Sequence, residues 1–531
     1  MRQHYLLHST RYQLIFALPS NEPSTQMTLL QKLSFFTAAA MICLFSACDV
    51  ETEFLTGNNV QLRFSIDTVA FDTVFVARGS ATQRMKVYND GEQPIKIDRV
   101  RVEGRTGVNF IFNIDGTRGP EAEDIVIWGE DSIFLFVEVE VDPTEPENTS
   151  PFIAEDRLLF ETGDIQDEVV LLAYGQNANY LNGFNRGQFG GIDARNCDSE
   201  GFFTLPTDLP TVIYGSLIVD ECTLRALAGT KVYFHGGVQR NDQFAGTGFF
   251  NDGLILTTAT GSVEFLGTLE EPVILRTDRL EPRFEQDPAK YRGLVLGAGS
   301  RDNRLEYTQL LNAIVGITID SAAEVTIENS VIAYSGGSAI SAYQSEVTLR
   351  NSVLHDNFGN AIQFVKGGTL EMEHTTIANY GVDASALALT NFSCDDSGNN
   401  CVFAPMTARV RNSIISGSRG SELIFLDIFE GSEPSQWNVL FNNSVVRTDQ
   451  PFLDSQNGIF SDFYENICRN CHNLEFSDPL FVALDQDDYQ LDSLSVARDL
   501  GAFLPSLPTD ILGVERDLST PDAGAYERVD Q

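Results

Sequence analysis

Several places in this chain carry residue types that could do chemistry. His355, Asp356 and Asn357 are consecutive, and an imidazole beside a carboxylate is the pairing that general acid–base catalysis uses. Lys366 is the tempting base for drawing a proton from a sugar acid, the step a polysaccharide lyase needs. Cys468-Arg-Asn-Cys471-His472 has the C-x-x-C-H spacing of haem attachment. A haem would also need a cavity of its own, so a disulfide between Cys468 and Cys471 is the simpler expectation. Asp485, Asp487 and Asp488 lack the glycine and the distal glutamate of an EF-hand loop. Asp395 and Asp396, between Cys394 and Cys401, could hold Ca²⁺, with plain solvation preferred. No metal-ligand set is assigned. A nucleophile elbow, a phosphate loop, a dinucleotide fingerprint and an H-E-x-x-H zinc motif are all absent from the sequence.

What positions these residues is a repeat. An alternating apolar run followed by Asn-Ser returns as Val325–Ile332, Val347–Leu354, Ala408–Ile415 and Val439–Val446, with variants at Leu305–Asn312 and Leu370–Ile377. Its fifth position reads Gln309, Asn329, Asn351, His374, Asn412, Asn443, with first spacings of 20, 22 and 23 residues. Short period-2 strands at that spacing, with no helix between them, predict a solenoid of parallel strands. Alternate apolar residues then face inward, coils lie about 4.8 Å apart, and the fifth position becomes a ladder of stacked amides at a tight bend. The longer spacings before Asn412 and Asn443 predict loops inserted at 378–407 and 416–438.

On such a scaffold, cooperating catalytic groups share an offset in successive coils. Five residues after the ladder the sequence reads Ile314, Tyr334, Asp356, Asn379, a single carboxylate without a neighbour of its kind. The column of Lys366 holds Glu324 and Gln344, a solvated charge row. The position before the ladder alternates Glu328, Arg350, Glu373, Arg411, a cross-strand pairing device. These columns give no catalytic site on the coils.

The chain has 531 residues and a formal net charge of −40. Such an acid excess repels nucleic-acid phosphates, so no nucleic-acid partner is expected. Residues 58–178 alternate apolar and polar over short runs separated by turn signals such as Asn89-Asp90-Gly91, which predicts an antiparallel β-sandwich of about seven strands. A connector over 179–204, coils over 205–474 and a terminal cap over 475–531 complete the expected organisation. Of the eight cysteines, Cys197, Cys222, Cys394, Cys401, Cys468 and Cys471 remain for pairing in an oxidising compartment. Proximity favours Cys394–Cys401 and Cys468–Cys471, with Cys197–Cys222 by elimination, among the 15 connectivities that six cysteines allow.

Residues 1–47 are read as a leader, with Met27 as the expected start of translation. Lys32, the apolar run Leu33–Phe45 and the small residues Ser46-Ala47 before Cys48 resemble a bacterial lipoprotein signal peptide. That resemblance implies lipidation of Cys48, a tether over 48–57, and a membrane partner through the lipid anchor. Val87–Gly104 with Asp131–Pro143 looks like the immunoglobulin-like domains of bacterial surface proteins. The coils from Gly229 to Ile317, with the tail segments Asp478–Phe481, Ala497–Gly501 and Pro521–Glu527, resemble uncharacterised Bacteroidetes-type lipoproteins with a pectate-lyase-like right-handed parallel β-helix. The resemblance implies an all-β protein: an immunoglobulin-like β-sandwich, a right-handed parallel β-helix and a C-terminal cap. It is silent on activity; the long regular face, the loops at 378–407 and 416–438 and the lack of a catalytic column give the expectation of a surface-exposed outer-membrane module that binds glycans or other surface polymers without catalysis. The competing expectation is a polysaccharide lyase or glycoside hydrolase with its site in the loops.

Overall fold

The computed structural model describes residues 53–55, 60–75, 82–104, 108–141, 152–181, 189–240, 249–395, 398, 400–455, 460 and 463–529. The chain is almost entirely β. Among the described residues no helix is long and apolar enough to cross a membrane.

Residues up to 176 form two five-stranded sheets. One runs Arg63–Phe64, Gln83–Asn89, Asp131–Val141, Val108–Ile114, Thr117–Gly119. The other runs Thr68–Phe75, Ile165–Gln176, Phe152–Thr162, Ile95–Val102, Glu121–Ile127. Their alternating residues meet in one core that includes Val87, Ile97, Phe112, Leu135, Val137, Phe160 and Leu171. The ten strands exceed the expected seven, and Thr68–Phe75 pairs parallel with Ile165–Gln176, so the sheets are not wholly antiparallel.

From Asn179 onward the strands pile up in parallel, in an 11-stranded and a 17-stranded sheet. Each turn supplies three strands, giving three stacks. Stack 1 includes Ser216–Val219, Leu254–Thr257, Gly293–Leu296 and Ile317–Ile319. Stack 2 includes Thr223–Leu227, Ser262–Leu266, Asn303–Glu306, Glu324–Glu328, Met406–Arg411 and Trp437–Asn442. Stack 3 includes Thr211–Tyr214, Thr308–Leu311, Val331–Ala333, Val353–His355, Thr376–Asn379 and Ile414–Gly417. Val325 and Ile327 lie over Val347 and Leu349, which lie over Leu370 and Met372, all within 3% of full burial.

The ladder position sits between stacks 2 and 3. Asn329, Asn351, His374, Asn412 and Asn443 all have φ between 45° and 51°, the left-handed region that asparagine tolerates better than most residues. Asn351 Nδ2 donates to Asn329 Oδ1 at 2.6 Å, and the Asn412 amide meets His374 Nε2 at 2.8 Å. The following Ser is a second ladder. Ser352 Oγ donates to Arg350 O at 2.7 Å and accepts Ser330 N–H at 3.1 Å; Ser413 and Ser444 repeat the pattern.

Three expectations are corrected. Gln309 is not in the ladder: it pairs with Val331 inside stack 3. Leu305 pairs with Ile327 rather than Val325, and Tyr307, at φ 43°, takes the bend. A slip of two residues keeps every side chain on its face, so the alternation alone could not detect it. Residues 179–204 are not a connector, because Asn179–Leu181, Phe189–Ile192 and Phe202–Thr204 join the three stacks as a first turn. Their strands are too short to show a period.

The tail over 475–531 is also not an end cap. It runs back along the flank and covers the ladder. Asn351, Asn412 and Asn443 donate to the carbonyls of Thr509, Ala502 and Leu500 at 3.2, 2.7 and 2.9 Å. Arg516, whose side chain is fully buried against Glu527, donates to Asn351 Oδ1 at 2.7 Å. Small residues permit the approach: Gly524, at φ 99°, has Ile414 Cδ1 2.6 Å from where a Cβ would stand, and its N–H reaches Asn412 O at 2.8 Å. Beyond Leu423–Leu426, the last strand of stack 1, stand instead two short helices, Gln450–Ser455 and Phe463–Asn466, while stacks 2 and 3 run on to Cys468–Arg469 and His472–Asn473. Phe460 packs on Phe425 and Trp437 with ring centres at 5.1 and 5.5 Å, and Phe463 on Phe441 at 5.6 Å.

Burial, and next Arg516, push the His374 imidazole down to about 3 from 6.5. The folded state therefore declines a proton that the unfolded chain accepts below about pH 6.5. The stability this carries is lost as pH falls towards 3. His374→Asn, which restores the ladder type, is expected to reduce the fall in urea midpoint between pH 7 and pH 4 relative to the wild type.

Candidate functional site

The structure places His355 and Asp356 together at the C-terminal end of the stack-3 strand Val353–His355, with His355 Nδ1 2.8 Å from Asp356 Oδ2. Lys366 is elsewhere, at the bend inside the long strand Ile362–Glu373, with its ammonium 5.3 Å from the Tyr343 ring centre. Glu324 is not in its column, since Glu324 pairs with Glu346 and then Thr369; Gln344 bonds with Ala322 in the preceding coil. The column of Asp356 reads Asn312, Tyr334, Asp356, Asn379 rather than starting at Ile314, the same two-residue slip.

A second carboxylate does reach Asp356, from outside the coils. Asp487, in the tail, lies with His355 and Asp356 so that one ligand atom from each falls within 4.8 Å of the others. Tyr489 OH donates to Asp356 Oδ2 at 2.7 Å. Tyr334 OH and Gln286 Nε2 donate to Asp487 Oδ2 at 2.6 and 2.8 Å. Burial pushes the Asp356 carboxyl up, but the bonds from His355 and Tyr489 outweigh it and leave the group below its ordinary value. Tyr489 is buried, so the tail roofs this cluster.

An open hollow lies further along the flank, near the insertions. A cavity of about 560 Å³ is lined by Gly381–Asp383, Ser418–Ser421, Asp449 and Phe452. It adjoins, through Ser418, one of about 370 Å³ lined by residues that include Tyr380, Arg447, Phe476 and Phe481. Arg447 is buried and donates to the carbonyls of Gly417, Leu474 and Glu475. Its guanidinium carbon stands 4.1 Å from the Phe476 ring centre. Phe476 itself is 70% exposed. On the wider side Asp383 pairs with Arg419.

Behind the hollow, Glu422 is fully buried. Its carboxylate accepts the N–H groups of Ala386 and Arg419 at 2.8 and 2.7 Å. Burial nevertheless pushes it up to about 6. Sequence reasoning passed over Glu422, although it stands where earlier coils have Gly316, Ala339, Ala361 and Ala386. That break in a small-residue column was the available signal. Asp487, Arg447 and Phe476 gave no periodic signal.

The cysteines pair as Cys197–Cys222, Cys394–Cys401 and Cys468–Cys471. The last pair spends both thiols of the C-x-x-C-H sequence on each other, and His472 Nε2 lies 3.0 Å from Asp478 Oδ2. Cys394–Cys401 closes the hairpin Phe392–Cys394/Cys401–Phe403. Residues 1–47, Cys48 and Asp396 lie outside the described residues.

The chain matches no family model. No curated protein matches it either. Among solved structures, the catalytic unit of a thermostable GH87 alpha-1,3-glucanase from Streptomyces thermodiastaticus is similar over 68% of this chain and 79% of that one, at 10% identity and a TM-score of 0.23. A family 123 glycoside hydrolase from Clostridium perfringens overlaps 36% of this chain and 44% of its own, at 6% identity and TM-score 0.15. The CsuC–CsuE chaperone–tip adhesion subunit complex of Acinetobacter baumannii overlaps 22% and 57%, at 15% and 0.14. The chain thus spans less than two thirds of the last two. These are loose overlaps at low identity.

The folded-state rise of Glu422 from 4.5 to about 6 means the native protein holds a proton the unfolded chain has released. Its contribution is present below about pH 4.5 and lost as pH rises through 6, by about 2 kcal/mol. Urea unfolding of Glu422→Gln, compared with wild type from pH 4.5 to 7, is expected to lack this decline.

Proposed function

We propose that this chain is an exported, lipid-anchored surface protein that binds neutral glycans or similar polymers without turning them over. The observation that carries the reading is Phe476. An exposed ring with one face occupied by a buried, fully engaged guanidinium is a rigid platform for the C–H face of a sugar ring. The adjoining hollow offers Arg419, Asp383, Ser418 and Asp449 for hydroxyl groups, the mix of flat apolar surface and few polar groups that fixes a ligand. The net charge of −40 disfavours polyanionic glycans. In this reading the stack is a right-handed parallel β-helix, the N-terminal sheets are an immunoglobulin-like spacer, and Cys48 carries the lipid that holds both at the outer membrane.

A hydrolase or lyase is the second reading. Glu422 favours it, since a buried carboxyl raised to about 6 is what a general acid requires. Its two backbone N–H partners instead fit a strand cap.

Titration calorimetry with neutral oligosaccharides is expected to show binding that Phe476→Ala weakens at least about tenfold without altering the circular dichroism. Release of reducing ends or unsaturated uronic acids from a polysaccharide panel would overturn the binding reading in favour of the enzyme. Radiolabelled palmitate is expected to enter the full-length protein expressed with its leader, and not its Cys48→Ala variant.

A further inference from the structure

His355, Asp356 and Asp487 have a feature that the hydrogen bonds around them do not resolve. Two carboxylates from segments far apart in the chain are brought side by side under a buried tyrosine. Among the described residues, neither has a lysine or arginine partner; their donors are two phenols, one amide and one imidazole. Like charges held together and partly desolvated repel strongly unless a proton or a cation sits between them. The third corner is not another acid but a histidine that is 7% exposed. Its ring is fixed by Tyr334 edge-on at 5.3 Å and by Tyr489 at 4.8 Å. An imidazole held rigid beside two carboxylates, with one donor atom from each within 4.8 Å of the rest, is a metal-ligand set in both chemistry and dimension. In such a set Tyr334, Gln286 and Tyr489 orient the carboxylates from behind, as outer partners do in metal sites.

We propose that His355, Asp356 and Asp487 bind one first-row divalent cation, Zn²⁺ or Mn²⁺, which clamps the tail to the coils. The nitrogen ligand is what selects this class over Ca²⁺, which takes oxygen donors. His355 and Asp356 belong to the C-terminal end of the stack-3 strand Val353–His355, whereas Asp487 belongs to the tail segment between Leu484–Gln486 and Asp488–Leu491. The cation therefore bridges two parts of the chain that approach only in the folded state, and it binds the native protein in preference to the unfolded one. The site is separate from the Phe476 hollow, so it stands whatever that hollow binds.

The test is titration calorimetry on the chelator-stripped protein with Zn²⁺, Mn²⁺ and Ca²⁺ in turn, followed by thermal unfolding with and without each ion. The expected result is one equivalent of Zn²⁺ or Mn²⁺, bound more tightly than Ca²⁺, with a rise in Tm of a few degrees. Asp487→Asn and Asp356→Asn should each weaken that binding at least about tenfold. Asp485→Asn, an exposed neighbour outside the set, should not. Asp356→Asn alters the coil rather than the tail and carries the same expectation should Asp487→Asn fail to fold. Co²⁺ substitution should give visible absorption bands that His355→Gln shifts. No binding at millimolar ion would show that a shared proton alone balances the pair, and overturn the proposal. So would a preference for Ca²⁺, or Zn²⁺ binding that survives the loss of both carboxylates.

Discussion

The fixed register of backbone hydrogen bonds between successive coils governs the rest of the molecule. Each parallel pairing places chemically equivalent residues at the same height, so one choice of residue repeats its consequences coil after coil. At the bend after stack 2 the backbone must enter the left-handed region, and Asn answers that demand while its amide reaches the next amide. The following Ser returns a hydrogen bond to its own strand and accepts one from the preceding coil. The Asn-Ser pair thus serves a backbone problem twice over, and no ligand is needed to explain it.

Much of the stack was legible because two independent signals coincide there: period-2 alternation and a recurring bend residue. Where only the alternation was present, at Leu305–Asn312, the reading slipped by two residues and placed Gln309 where Tyr307 belongs. Two disulfides, Cys394–Cys401 and Cys468–Cys471, followed from proximity, since near partners in sequence are also the ones a tight coil brings together, and Cys197–Cys222 followed by elimination. The tail was opaque for a physical reason. Its contacts, such as Arg516 with Asn351 and Asp487 with Tyr334, join segments 165 and 153 residues apart and repeat with no period. The Asp356 column looked catalytically empty because its partner carboxylate arrives from that tail. Glu422 was visible as a charge in a column of small residues, yet its meaning depends on burial, which the column does not state.

Arginine rather than lysine holds the tail in place. Arg447 and Arg516 are both buried, and each spreads several N–H groups over acceptors at different heights: Gly417, Leu474 and Glu475 for one, Asn351, Gly524 and Glu527 for the other. A lysine would bring one point charge and could not span those acceptors. In a chain so rich in acids, these few guanidiniums do for the flank what the amide ladder does for the coils. Removing Arg447 would take a donor from the buried carbonyls of Gly417 and Leu474, and removing Arg516 would leave the Glu527 carboxylate buried on backbone N–H groups alone, a more costly loss than that of a surface pair.

The aromatic closure formed by Phe460 and Phe463 has a consequence for how copies of this protein coexist. Parallel strands displayed at the end of a stack are a template onto which another chain can crystallise in register, the elementary step of fibril growth. Here the end of stack 1 is covered by Phe460 and Phe463, packed on Phe425, Phe441 and Trp437, with two helical turns beside them. A neighbouring molecule arriving over stack 1 would meet these rings first, and stacks 2 and 3 end in strands of only two residues, Cys468–Arg469 and His472–Asn473. So narrow a template gives an incoming strand little register to copy, which disfavours polymerisation from that terminus.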